Sequence, residues 1–412
     1  SMAAATTLTK WDAVLKQYYT NKKVEDLVYD SHPFFELIPK DESFKGRNMP
    51  IPLIYGHPQG ISNTFATAQT NASASSIDDF LLTRTTKYGV ATLSGEAVAA
   101  SEGDRFSFLS AASTEINNTI KSVGAAIARD LYRDGSGAIG QIASTTTIGS
   151  TACDLEVPES VFNFEVGMRL DLNPNKTGNS GTLRSNYTQI AAVDRSKYTT
   201  GSTDQLTATA NWNANSGATG DYLYVEGDYD TAVKGLEAWI PATTPGSAAF
   251  FGVDRSVDPT RLGGQRYDGS SDTIVEALIS GAALCSREGG NPDYVMIPFE
   301  EFVKLEKSLN AQVQREVKQS DSISGYRSLE MYAPHGTMKV VPDKDCPAGK
   351  AYILTMSSLV LASIGPAVQL TQLDGNRTLR MNSADGIEVR IHSYLQMGCR
   401  APGWNCVVTL PS

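Results

Sequence analysis

The chain has 412 residues, 41% of them hydrophobic, which is material for two or three domains with cores of their own. Its 45 acidic against 35 basic residues leave a formal charge of −10, which argues against a protein that holds nucleic acid by neutralising phosphates. Five cysteines (Cys153, Cys285, Cys346, Cys399, Cys406), odd in number and without CxxC spacing, argue against a disulfide framework or a zinc site and for a reducing compartment.

Ser1 ahead of Met2 reads as a remnant of a cleaved tag, so the natural chain is expected to begin at Met2. The residues after it have no basic segment followed by an apolar one, and no run of 18 apolar residues occurs downstream, so neither secretion nor membrane spanning is expected. The most apolar stretch, 352–368, is interrupted by Ser357, Ser358, Ser363 and Pro366, which suits core strands.

In chain order, 7–40 carries Trp11, Leu15, Tyr18, Tyr19, Val24, Leu27 and Tyr29 between charges, the pattern of one or two short helices with too little core to stand alone. The helical signal is expected to stop at His32 and Pro33, because a residue before proline is pushed toward extended geometry. Residues 46–95 shift to Pro, Gly, Ser, Thr and Asn, with 49–55 extended by its prolines, a polar tip at 69–76, and a Thr-rich, β-branched return limb at 80–93. So long an excursion without a core of its own is expected to reach a neighbour. At 104–132, Leu109, Ala112, Ile116, Ile120, Val123, Ile127 and Leu131 recur at spacings of three and four, predicting one amphipathic helix roughly 43 Å long. Ser101 and Asp104 offer its start, and Gly135 and Gly137 its stop.

Residues 138–227 are poor in helix formers, and β-type runs at 161–172, 188–193 and 221–225 alternate with turn residues, as in a small all-β insertion. After residue 250 the pattern changes to a helix at 273–288 with a Thr273 and Glu276 capping box, a strand at 294–297 and a helix at 300–309, an α/β layer. The tail, 339–410, returns to strands, including the alternating run 387–395.

Motifs for chemistry are weak. GSGAIG at 135–140 matches a dinucleotide fingerprint but follows a helix and precedes a β region, so its glycines read as a helix stop. His32, His57, His335 and His392 lie far apart and outside metal-ligand spacing, and the adjacent pairs Asp78 with Asp79 and Glu300 with Glu301 do not converge on one substrate. Residues expected at a subunit interface are Trp11, Tyr18 and Tyr19, as aromatic anchors, and Phe80, Arg84 and Lys87 on the return limb, whose cations could meet an acidic neighbour. The plainer reading of each is packing or solvation within its own domain.

The order of elements, together with VYDSHPFFELIPKDESFKGRNMPIPLIYGHPQGIS, VKGLEAWIP, FFGVDRSVDPTRLGG and MGCRAPGWNCVVTLP, resembles tailed-phage major capsid proteins of the Hong Kong ninety-seven type over nearly the whole chain. The resemblance implies an α+β phage major capsid fold. Its parts would be an N-terminal arm (1–45), an extended β loop (46–95), a peripheral domain with a long spine helix (96–137), an all-β insertion (138–228), a further peripheral strand (229–249), an axial α/β domain (250–373) and C-terminal strands returning to the peripheral domain (374–412). It implies a structural, non-catalytic protein with no cofactor, forming hexamers and pentamers of an icosahedral head around double-stranded DNA that it does not read. Implied partners are a separate scaffolding protein, since the arm is too short to contain one, a portal protein, and room for a cement protein. The implied location is the virion, assembled in the bacterial cytoplasm. The alternatives are an encapsulin-like compartment and, from another class, an enzyme or carbohydrate-binding protein using the β insertion near 171–194. Certain relatives join subunits by a Lys to Asn isopeptide bond, but no acceptor for Lys87 is identified and no crosslink is predicted.

Overall fold

The computed structural model describes residues 31–96, 105–310, 329–371, 379–381 and 384–411. Trp11, Tyr18, Tyr19, Ser101 and Asp104 lie outside them.

The strand Gly386–Cys399 organises the first sheet. Its alternation buries Val389, Ile391 and Leu395 on one face, as a half-buried strand requires. Leu359–Ser363 pairs with its end in antiparallel register (Leu361 opposite Met397), and Thr85–Ser94 with its beginning (Leu93 opposite Ile387). Lys40–Asp41 runs parallel to Leu359–Ser363 at the edge. The helix Arg105–Asp130 lies against Thr85–Ser94, presenting Val123 and Ile127 to the core. Gly89 permits this approach, because a Cβ there would stand 2.5 Å from Val123 Cγ2. Beyond the helix, Leu131 and Tyr132 remain buried in a turn, and Gly135 and Gly137, both at positive φ, redirect the chain.

The second sheet holds Ala138–Gln141, Tyr222–Val225, Arg169–Asn173, Thr188–Val193, Leu206–Ala208 and Ala152–Cys153 in that spatial order, antiparallel throughout. It encloses its own core around Trp212, Phe164 and Leu223. Part of the expected run 161–172 is a 3-10 turn, Pro158–Asn163, whose opening proline fixes φ.

The third sheet is mixed, ordered Gln265–Asp268, Cys406–Thr409, Lys350–Leu354, Tyr294–Ile297, Gly336–Pro342 and Leu329–Ala333. The helix Ile274–Arg287 covers one face, and its start is a complete capping box: Thr273 Oγ1 accepts from the Glu276 amide, and the Glu276 carboxylate accepts from the Thr273 amide. Phe299–Asn310 packs beside it.

Several expected boundaries differ. A short helix, Pro33–Leu37, begins where helix was expected to stop, because proline at the first helical position costs no hydrogen bond. The expected loop limb 80–93 divides at Arg84: Ser76–Thr83 belongs to a hairpin, while Thr85–Ser94 belongs to the first sheet. The division expected at 373/374 is crossed in both directions. Leu359–Ser363 joins the first sheet, and Cys406–Thr409 joins the third, between Gln265–Asp268 and Lys350–Leu354.

Candidate assembly surface

Asn48–Gly56 and Ser76–Thr83 form a two-stranded ribbon that no third strand joins among the described residues. Pro50 and Pro52 lack amide donors, so Asn48–Gly56 is suited only to an edge. The ribbon has two faces. Ile51, Phe80 and Leu82 are buried at its root, with Phe80 edge-on to Trp239 at 4.9 Å between ring centroids. The other face carries Ile54 opposite Ile77, 61% and 62% exposed. The root is also held by backbone: Leu81 N–H donates to the Phe251 carbonyl at 2.9 Å, and Phe251 itself sits at φ 48°, an uncommon conformation for a bulky residue. Arg261 reaches across to the Tyr55 carbonyl at 2.8 Å.

Past Gly56 the ribbon opens into a tip, 57–75, with the short helix Phe65–Thr70. None of its residues is buried; Ile61 is 75% and Phe65 83% exposed. Apolar side chains this exposed on a protruding element mark a surface that another molecule covers.

Of the residues expected at an interface, Trp11, Tyr18 and Tyr19 lie outside the described residues, and Phe80, Arg84 and Lys87 make contacts within the chain. Phe80 is fully buried, so that expectation is corrected: this aromatic at the root packs inward because the alternation of Ser76–Thr83 points it to Trp239. Arg84 places its guanidinium over the Phe44 ring at 4.8 Å and donates to the Gly46 and Phe44 carbonyls, fastening the loop's entry. Lys87 forms an ion pair with Asp228 and lies 3.6 Å from Asp130, so its charge is taken up inside the chain. Burial raises the Asp130 carboxyl above its ordinary value, against the pull of Arg129 and Lys87. The sequence reading passed over Ile61 and Phe65. Their signal was two large apolar residues four apart in a segment otherwise made of small and polar ones.

A second surface is a cleft of about 750 Å³ between the second and third sheets, with Arg133 and Asp134 in its lining. Val157 and Phe162, 48% and 43% exposed, line it together with Phe299 and Pro347. Three of its five cations are paired: Lys176 with Asp134 at 2.7 Å, Lys350 with Glu237 at 3.4 Å and Arg195 with Glu165 at 2.8 Å.

Behind the cleft a polar cluster is buried where the N-terminal segment enters. His32 Nδ1 lies 2.6 Å from Asp345 Oδ2, and Asp343 accepts from the Tyr132 hydroxyl at 2.8 Å and the Phe34 amide at 3.2 Å. Burial, reinforced by the Asp345 carboxylate, pushes the Asp343 carboxyl up to about 6. All five cysteines are buried and unpaired, and burial pushes the Cys153 and Cys399 thiols up to about 12, which keeps them protonated and unreactive. Among the described residues no group of His, Cys, Asp and Glu is arranged to hold a metal ion, and no helix is long and apolar enough to cross a membrane.

No protein-family model matches this sequence, and no curated protein matches it. Solved structures do match. The capsid asymmetric unit of cyanophage A-1(L) aligns with 97% of this chain and 99% of its own at a TM-score of 0.52 and 10% identity. This chain has a phage capsid fold. Two further likenesses are looser: the capsid of cyanophage P-SCSP1u (TM-score 0.45, 8% identity, 99% and 96% covered) and an encapsulin of Synechococcus elongatus (TM-score 0.45, 7% identity, 99% and 96% covered). Among the described residues the hairpin tip and the cleft are two of the surfaces that carry exposed apolar side chains, alongside others such as Tyr88, Val257 and Tyr332.

Proposed function

We propose that this chain is the major capsid protein of a tailed phage, a structural subunit that self-assembles into an icosahedral head around double-stranded DNA. The observation that carries the reading is the end-to-end likeness of fold to the cyanophage A-1(L) capsid subunit, with 97% and 99% of the two chains covered. The hairpin 48–83 would then be the extended loop, Arg105–Asp130 the spine helix, the first sheet the peripheral domain, the third sheet the axial domain, and the second sheet an insertion. A closed shell needs heterologous contacts that close into rings of five and of six. A protruding tip on a rooted hairpin supports that, because the tip can adapt to slightly different neighbours while its root is fixed in the core.

The negative charge suits an envelope that encloses DNA without gripping it. A separate scaffolding protein, a portal and a cement protein belong to the same reading, as does location in the virion after assembly in the host cytoplasm. Negative-stain microscopy with light scattering on the purified protein, with and without the scaffolding protein, tests it. Rings of five and six or closed shells are expected. A strict monomer under every condition would overturn the assembly role, and shells that co-purify with an enzyme instead of phage proteins would move the assignment to a cellular compartment.

A further inference from the structure

Near Tyr352 the cleft carries one cation that no carboxylate answers. Lys350 and Tyr352 are alternate residues of Lys350–Leu354 and so share a face of that strand; Lys350 lines the cleft, and Tyr352 lies fully buried. The charged groups that act on the Tyr352 hydroxyl are Glu237, Arg133 and Asp134, all three in the lining. Asp134 holds Lys176 at 2.7 Å, and Glu237 lies 3.4 Å from Lys350 and 3.7 Å from Lys176. The two carboxylates are thus taken up by the two lysines, and Arg133 is left over: among the described residues no ion pair holds it, and its buried Nε has no hydrogen-bond partner. The Tyr352 hydroxyl is a second buried donor without an acceptor. Over the whole lining five cations meet five carboxylates, so the surplus is local to Arg133. Buried donors left unanswered are costly, and a singly charged acceptor answers both at once. The lining also offers Val157, Phe162, Phe299 and Pro347, and the volume of about 750 Å³ lies in the range of small-molecule sites. A bare anion would leave these apolar side chains in water, whereas a neutral apolar guest would leave Arg133 unanswered.

We infer that the cleft binds an amphipathic monocarboxylic acid, its carboxylate on Arg133 and Tyr352 and its apolar body along Val157 and Phe162. Arg133 has no partner to give up, so it turns to the guest without breaking a contact. Phe162 belongs to the segment of the second sheet and Tyr352 to the third sheet, so a bound acid ties the two together. The site is built within one chain, and its occupation neither requires assembly nor bears on it.

The test is calorimetric titration of the full chain with decanoate, 1-decanol, acetate and inorganic phosphate. Decanoate is expected to bind once per chain and about tenfold more tightly than 1-decanol, the worth of a charged hydrogen bond. Acetate and phosphate are expected to bind more weakly than either. Arg133→Met should bring decanoate down to the affinity of 1-decanol and leave 1-decanol unchanged. Tyr352→Phe keeps the ring and should weaken decanoate alone, and Phe162→Ser, at an exposed side chain, should weaken both ligands alike. Each variant is checked for native circular dichroism; if Arg133→Met fails that check, Tyr352→Phe decides where the carboxylate sits. The inference is overturned if decanoate does not bind, or binds no better than 1-decanol or phosphate. It is overturned equally if Phe162→Ser leaves decanoate unaffected, since the acid then lies elsewhere, or if Tyr352→Phe keeps the full preference for acid over alcohol.

Discussion

Lys87 stands between two carboxylates, Asp228 and the deeply buried Asp130, and together with Arg129 it opposes the burial that favours the protonated form of Asp130. Replacing it by Met keeps the volume and removes the charge, so the cost is that of a buried carboxylate that keeps only Arg129 beside it, at most about 3 kcal/mol at pH 8. Burial already raises the Asp130 carboxyl, and without Lys87 it rises further. Lowering the pH therefore protonates it and relieves the strain, so urea unfolding of Lys87→Met should show a smaller deficit at pH 5 than at pH 8. A deficit independent of pH would mean the lysine acts by packing alone.

Asp343 titrates in the opposite sense to a salt-bridged aspartate. Its folded value of about 6 lies above the ordinary carboxylate value near 4, so the folded chain holds a proton that the unfolded chain has released. That contribution is complete below about pH 4 and is lost as the pH rises through 6. In Asp343→Asn the titration is gone. Its urea midpoint, depressed at pH 4.5 because one of the acceptors for Tyr132, Phe34 and the Asp345 amide is lost, should gain on the parent by pH 7.5. A gap that widens instead would show that burial does not govern this group. Neither role was legible beforehand. Composition shows that Lys87 and Asp343 are charged, but their partners lie 141 and 211 residues away, brought together only by the fold.

The hairpin is an element whose two ends do different work. Its root contributes Ile51, Phe80 and Leu82 to the main core, whereas its tip contributes no buried side chain. Gly56 and Ser76 are a cross-strand pair, so replacing 57–75 by Asn-Gly closes the ribbon with a two-residue turn. The shortened chain should unfold within about 0.5 kcal/mol of the parent and yet fail to form capsomers or shells. Size-exclusion chromatography and calorimetry on the same sample separate the two effects, and normal assembly of this variant would show that the tip is not a contact. Elements marked by local chemistry were legible: the capping box at Thr273, the strand Tyr294–Ile297, and the glycines closing the long helix. The split of the return limb at Arg84 was not, because Thr and β-branched residues run through both halves without a break. Period and propensity identify a strand but not its partner. For that reason Cys406–Thr409 read as part of the tail when its place is inside the third sheet, between Gln265–Asp268 and Lys350–Leu354.

At the scale of the whole molecule, one core runs through the first sheet, the hairpin root, the long helix and part of the third sheet, while the second sheet keeps a core of its own. The ends of the second-sheet segment are neighbours: Ala138 pairs with Tyr224, and the Asp230 amide donates to the Ser136 carbonyl at 2.7 Å. A segment that leaves and re-enters at one point is carried without displacing the elements on either side, and a separate core lets it fold as a unit. The fragment 138–228 is therefore expected to unfold in urea in a single cooperative transition. Trp212 is its only tryptophan and is fully buried, so its emission should shift to the red across the same transition as the circular dichroism. A fragment with solvent-exposed Trp212 emission in the absence of urea would show that the wall shared with the third sheet is needed to fold the insert. The cleft would then be a seam of one folding unit instead of a groove between two.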